Sequence, residues 1–260
     1  MGRFSKLDFQ GQPPAAVATP EDPWPNMDAH ACLKLGEQQY QTGHYEPALT
    51  AYSRALRFDK GVSEAWIGQV RSLICLEEFS EAVTWSDRAL EKFFGSPDLL
   101  ACKGMALVRS GRPARGMECL DEAIELRSPS CWVWHARGDG LLRTGQGAAN
   151  AKRCFLKAQE IDPQEGRLEM RIGISYNEVR KFAEARPYLL AAARSAPSNP
   201  LLMLHLGTMH EGLGEISLAR GFYERALAAR RGYREAQTAL DRVSATGVCA
   251  RLWQGLRSRK

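Results

Sequence analysis

The sequence lacks any long apolar run. Its longest unbroken stretch, Tyr188 to Ala193, stops at Arg194, far short of the ~20 residues that cross a bilayer, so no membrane span is expected. The start, Met1-Gly2-Arg3-Phe4-Ser5-Lys6, has no apolar core of a secretory signal, and Lys6 stands where an N-myristoylation motif needs Ser or Thr. The chain therefore reads as soluble and unprocessed. The seven cysteines (32, 75, 102, 119, 131, 154 and 249) form an odd set without a C-x-x-C pair, which suits neither a disulfide framework nor a zinc site. Reduced, mostly buried thiols in a cytoplasmic compartment are expected. No run alternates apolar and polar residues as a half-buried strand would.

Catalytic signatures are missing as well. His210-Glu211 begins an H-E-x-x-H pattern, but the second histidine would fall on Gly214. Gly138-x-Gly140 lacks the third glycine of a dinucleotide fingerprint, since position 143 is Arg143, and no G-x-x-x-x-G-K-[ST] run occurs. The expectation is a non-enzyme without cofactor or metal. The net charge of +5 comes from 35 basic and 30 acidic residues, and Arg242 to Lys260 holds five basic residues and no acidic one. With the excess confined to that end, a basic surface for nucleic acid is not expected.

What the sequence does have is a period. Five of its thirteen prolines fall in the first 25 residues, marking residues 1–28 as a flexible or extended leader. From residue 29, Ala55, Ala89, Ala123, Ala158, Ala192 and Ala226 follow at intervals of 34, 34, 35, 34 and 34. Seven residues ahead of each stands Ala48, Ala82, Gly116, Ala151, Ala185 or Ala219, and further ahead Gly36, Gly104, Gly138, Gly173 and Gly207, with Val70 as the exception. Helices approach closely only where side chains are small, so the repeat is a helical hairpin. Gly43, Gly111, Gly145 and Gly214 fall between its two helices, where a left-handed residue closes the first helix cheaply. Larger residues such as Tyr52, Trp66, Phe155 and Tyr223 are the fillers.

Leu35-Gly36…Ala48-x3-Tyr52-x2-Ala55, Gly173-x2-Tyr176…Ala185…Ala192…Pro197 and Leu206-Gly207…Ala219-x3-Tyr223-x2-Ala226 resemble the tetratricopeptide repeat. Six units are placed at 29–62, 63–96, 97–130, 131–165, 166–199 and 200–233. Val70, the Pro113 and Gly116 pair, and one extra residue near Gly147 mark places where units two, three and four depart from the pattern. The resemblance implies an all-α, right-handed superhelical solenoid of about six hairpins, with 234–260 as capping helix and basic amphipathic tail. Tyr233 to Val243 would turn Ala236, Leu240 and Val243 onto the last repeat.

It also implies a function, an interaction scaffold or adaptor that binds a peptide segment of another protein in the concave groove lined by first helices. By the family pattern the groove residues are Lys34, Tyr40, Arg71, Arg109, Trp132, His135, Asp139, Arg143, Arg167, Arg171, Asn177 and His205, together with Glu37, Glu64 and Asp98. Arginine in four successive units, beside aromatic and imidazole rings, suits an acidic peptide. The competing reading pairs Arg71, Arg109, Arg143 and Arg171 with Glu64, Asp98, Asp139 and Glu178 as ordinary solvated charges. The terminal-carboxylate clamp of chaperone-binding members is absent, because its positions hold Leu33, Glu37, Gly68, Asp98 and Cys102. A second functional reading is a peripheral membrane adaptor, with residues 248–260 laid on an anionic surface.

Overall fold

The computed structural model describes residues 27–126, 130–145, 147–163 and 167–257, with side chains as far as 245. Among these residues the secondary structure is entirely helical. Six hairpins follow one another: α1 (Ala29–Gln41) with α2 (Tyr45–Phe58), α3 (Ser63–Cys75) with α4 (Phe79–Lys92), α5 (Pro97–Arg109) with α6 (Pro113–Glu125), α7 (Cys131–Thr144) with α8 (Ala148–Ile161), α9 (Leu168–Glu178) with α10 (Phe182–Ser195), and α11 (Pro200–Gly212) with α12 (Ile216–Ala229). A longer helix, α13 (Arg234–Arg257), completes the chain. The chain forms two compact units, Met1–Ile161 with α1 to α8 and Asp162–Lys260 with α9 to α13.

Local chemistry sets the helix ends. The Asp28 carboxylate accepts from the Ala31 amide at 2.7 Å, and Asn199 accepts from Leu201 and Leu202 at 3.0 and 3.2 Å. Pro97, Pro113 and Pro200 each open a helix, where no amide is needed. Pro113 is thus a regular start to α6 rather than an irregularity. Each first helix that ends in a tight turn does so on a left-handed residue, and the set is wider than the glycines suggest. Gly43, Glu77, Gly111, Gly145, Arg180 and Gly214 have φ between +61° and +81°. In the five turns whose following residue is described, the next amide reaches back to the first helix, as from Glu78 to the Leu73 carbonyl at 3.0 Å and Glu215 to that of His210 at 2.8 Å.

Small residues bring each pair of helices together. The six phased alanines are at most 2% exposed, and Ala48, Ala82, Ala151, Ala185 and Ala219 are fully buried. A Cβ on Gly36 would lie 2.8 Å from the Tyr52 ring, on Gly104 2.7 Å from Leu120, on Gly173 2.7 Å from Leu189, and on Gly207 2.3 Å from Tyr223. The large partner sits sixteen residues after its glycine. In the second hairpin the same step joins Val70 to Ser86, both fully buried, so a larger residue on the first helix is matched by a smaller one on the second. Gly116 lets α5 and α6 approach backbone to backbone, because a Cβ there would stand 2.7 Å from the Gly104 carbonyl oxygen.

In the second unit, α13 covers the last hairpin. Ala239 and Val243 join Tyr223 and Ala219 in one buried cluster, with Leu204, Ile216 and Leu240 packed around it. The helix runs on through Gly247 to Arg257, well past the Tyr233 to Val243 span expected from the sequence. A single glycine costs only ~1 kcal/mol in a helix whose neighbours favour it. Residues 1–26 of the 1–28 leader lie outside the described residues, as do the side chains of the 248–260 segment.

Candidate functional site

In the first unit α1, α3, α5 and α7 pack side by side, and most of the proposed groove residues lie on this row. Its centre is Arg71 on α3. The guanidinium lies over the Tyr40 ring from α1 at 4.7 Å and over the Trp132 ring from α7 at 4.3 Å. These three residues come from three helices, and the structure brings them together. Burial works against the Arg71 charge, but Tyr40, Glu37 and Cys102 more than offset it and keep it protonated. Burial also pushes the Cys102 thiol up to about 12, so it stays neutral beside Arg71.

The surrounding carboxylates are committed to other donors. Glu37 accepts from the Tyr52 hydroxyl at 2.9 Å and from the Gln41 amide at 2.8 Å. Burial and the adjacent Glu37 raise the Tyr52 hydroxyl above its ordinary pKa, so it remains a donor. Asp98 accepts from Ser130 at 2.7 Å, and Glu64 accepts from Ser63 at 3.1 Å. Lys34 is exposed and lines a shallow cavity of about 430 Å³ with His30, Leu33 and Glu37.

Further along the row the arrangement is tighter. Arg143 donates to Asp139 at 2.7 Å, and the Asp139 side chain is only 4% exposed. Burial pushes the Asp139 carboxyl up, but Arg143, Arg109 and His135 outweigh it and hold the group below the usual carboxylate range. Asp139 and Arg143 are therefore each other's partners. His135 is buried between Trp132 and Phe155, with ring centroids 5.6 and 5.8 Å away.

In the second unit Asn177 is buried and ties α9 to α11, donating to the His205 carbonyl at 3.0 Å and meeting its Nδ1 at 3.2 Å. Burial lowers the His205 pKa, against a smaller opposite effect of Glu178. Arg171 is partly buried on α9, and Arg167 is exposed at that helix's start.

Two polar clusters escaped the sequence reading. Glu211 accepts from the Tyr223 hydroxyl at 2.6 Å and from Arg242 at 2.8 and 2.7 Å. Arg242, counted in the basic tail, thus docks α13 onto the last hairpin. His210, set aside as half of a zinc motif, stacks on Phe222 at 5.1 Å and bonds Glu215, which Arg186 also holds at 2.9 Å. No periodic signal marks either cluster, because the partners are 29 and 31 residues apart. Among the described residues no group of three or more His, Cys, Asp or Glu is placed to hold a metal, and no helix is long and apolar enough to cross a membrane.

Residues 170–234 match the family model of the tetratricopeptide repeat. The fold is similar to that of a tetratricopeptide repeat protein from Parabacteroides merdae, with a TM-score of 0.55 and 16% identity, covering 86% of each chain. It is also similar to a chain of the APC/C hetero-tetramer Cut9-Hcn1 at 0.54 and 16% identity, over 83% of this chain but only 43% of that one. A third likeness is to PilW, a type IV pilus biogenesis factor, at 0.51 and 18% identity over 82% of this chain and 98% of PilW. At such identities the likeness is one of fold.

Proposed function

We propose that this chain, a tetratricopeptide-repeat protein, is a non-enzymatic scaffold that holds a peptide segment of another protein along the first-helix row of its first unit. Stacked hairpins leave one face of every first helix uncovered by its own second helix, and such faces serve repeat proteins as extended binding surfaces. The observation that carries the reading is the convergence of Tyr40, Arg71 and Trp132 from α1, α3 and α7. Aromatic and arginine side chains are the residue types that dominate binding energy at interfaces; here Tyr40 and Arg71 are partly exposed, and Trp132, only 7% exposed, backs them from beneath. Around them, Lys34 is exposed and Arg109 partly so, on the neighbouring helices α1 and α5.

The test uses a display library of short random peptides selected on the full chain. Photo-crosslinkers are placed at Lys34 and Arg109 on the row, and at exposed Leu156 on α8 as the control. Selected peptides should crosslink from Lys34 and Arg109 and not from Leu156. Selection of no peptide, or crosslinking chiefly from Leu156, would refute the reading.

A further inference from the structure

Arg71 is held in place without a carboxylate to hold it. Its Nε is buried and makes no hydrogen bond, and among the described residues no acidic side chain is bonded to its other nitrogens. The nearest carboxylate, Glu37, has each oxygen engaged by Tyr52 or Gln41, and Glu64 and Asp98 are bonded to serines. The Tyr40 and Trp132 rings supply attraction to the positive charge, but a ring face is a poor substitute for oxygen acceptors. A guanidinium has five N–H donors in one plane, and here little of that capacity is used by the protein itself.

We propose that Arg71 is the anchor for an Asp or Glu side chain in an extended peptide segment of a partner protein; this rests on the groove reading above. A carboxylate accepts two parallel N–H bonds from a guanidinium in a geometry that few other groups match. The rings already order the arginine, so the ligand does not bear the entropy of fixing a long side chain. An apolar segment would cover the guanidinium further while offering it only neutral backbone carbonyls, and a basic one would be repelled. The contact is to a side chain within a segment rather than to a chain end, because surface cations continue on both helices beside α3, at Lys34 and Arg109.

The experiment takes peptides selected on the full chain, synthesised with both ends blocked, and measures their affinity by fluorescence anisotropy. The selected sequences should contain Asp or Glu. Changing that residue to Asn or Gln should weaken binding to the wild type at least about tenfold, the size of one lost charged hydrogen bond. In Arg71→Met the acidic and amide peptides should bind equally, with the fold checked by circular dichroism. Arg71→Lys, which keeps the charge but not the fork, should fall between. Should Arg71→Met fail to fold, Glu37→Gln supplies the second arm. That variant keeps one acceptor oxygen and puts an amide donor at the other position, which the Tyr52 hydroxyl oxygen or the flipped Gln41 amide oxygen can accept. It also removes the competing charge, so it should tighten the acidic peptide severalfold and leave the amide peptide unchanged.

An acid-to-amide ratio that is the same in wild type and Arg71→Met, or a Glu37→Gln effect shared by both peptides, would overturn the anchor. So would binding that requires a free peptide C-terminus. In each case crosslinking from Lys34 and Arg109 would still stand, leaving the groove reading intact. Peptides that crosslink only from Leu156 would remove both.

Discussion

At Gly116 helix propensity and packing pull in opposite directions, and the sign of one substitution decides which is stronger. Ala is better than Gly in a helix interior by ~1 kcal/mol, and alanine is the usual residue at this place in the repeat. A Cβ on Gly116, however, would lie 2.6 Å from Val108 Cγ2, 2.7 Å from the Gly104 carbonyl oxygen and 2.7 Å from the Val108 amide nitrogen. Two of those atoms are backbone, so relief requires α5 and α6 to move apart, and overpacking of this kind costs ~1–3 kcal/mol. Gly221, in the middle of α12, offers the control, because nothing lies within 4 Å of its added Cβ. Propensity cancels between the two substitutions. Gly116→Ala should therefore be less stable than Gly221→Ala by ~1–3 kcal/mol, with Gly221→Ala gaining ~1 kcal/mol over wild type. Urea unfolding followed by tryptophan fluorescence and by far-ultraviolet circular dichroism measures both. Trp66, Trp85, Trp132 and Trp134 all lie in the first unit, so fluorescence reports chiefly on the unit that contains Gly116, and repeat arrays need such separate probes. Gly116→Ala stabilising the protein as much as Gly221→Ala does would refute the close approach of the two helices.

Further expectations concern the turns, the core and the capping helix. Glu77→Gly and Arg180→Gly relieve left-handed residues with φ of 62° and 61° and should each stabilise by about 1 kcal/mol, read as a higher urea midpoint; an unchanged or lower midpoint would contradict the turn geometry. Ala192→Trp should cost ~1–3 kcal/mol, or more if the helices cannot separate, because Ala192 is 2% exposed; an unaltered melting temperature would count against the packing. The Glu211 carboxyl is held below its ordinary pKa, first by the Arg242 hydrogen bonds and then by Tyr223. Its contribution is therefore fully present above the unfolded carboxyl's pKa and is lost as pH falls through the depressed one. Glu211→Gln should flatten that part of the acid-unfolding curve and open α13 to proteolysis at neutral pH; an acid limb identical to wild type would refute the linkage. Pro187 sits inside α10, where it removes one helical hydrogen bond, and Pro187→Ala should raise stability by up to ~3 kcal/mol; a loss would show that proline suits a bend there.

The sequence by itself determines the helical repeat, because the feature that defines it is local and repeated. Small residues must recur wherever two consecutive helices touch, and that requirement writes Ala55 to Ala226 into the chain at one period. The turns are only partly legible. Gly43, Gly111, Gly145 and Gly214 announce left-handed residues, but Glu77 and Arg180 take the same conformation and nothing in their side chains signals it. Val70 likewise looks like a defect until Ser86, small and buried, stands at its step.

The composition of the candidate site is another matter. Spacing assigns Tyr40, Arg71 and Trp132 to one face. That Arg71 meets two rings rather than Glu64 was decided by the stacking of successive hairpins, which brings side chains 31 and 61 residues away against it. Arg143, read from the same pattern, is instead committed to the buried Asp139 four residues earlier. Glu211 and Arg242 joined only once α13 had folded onto the last hairpin. Periodicity fixes which way a side chain points relative to its own helix. Its partner depends on the neighbouring helices and on burial, and for a charged group burial determines whether a carboxylate, a ring or water is left to face it.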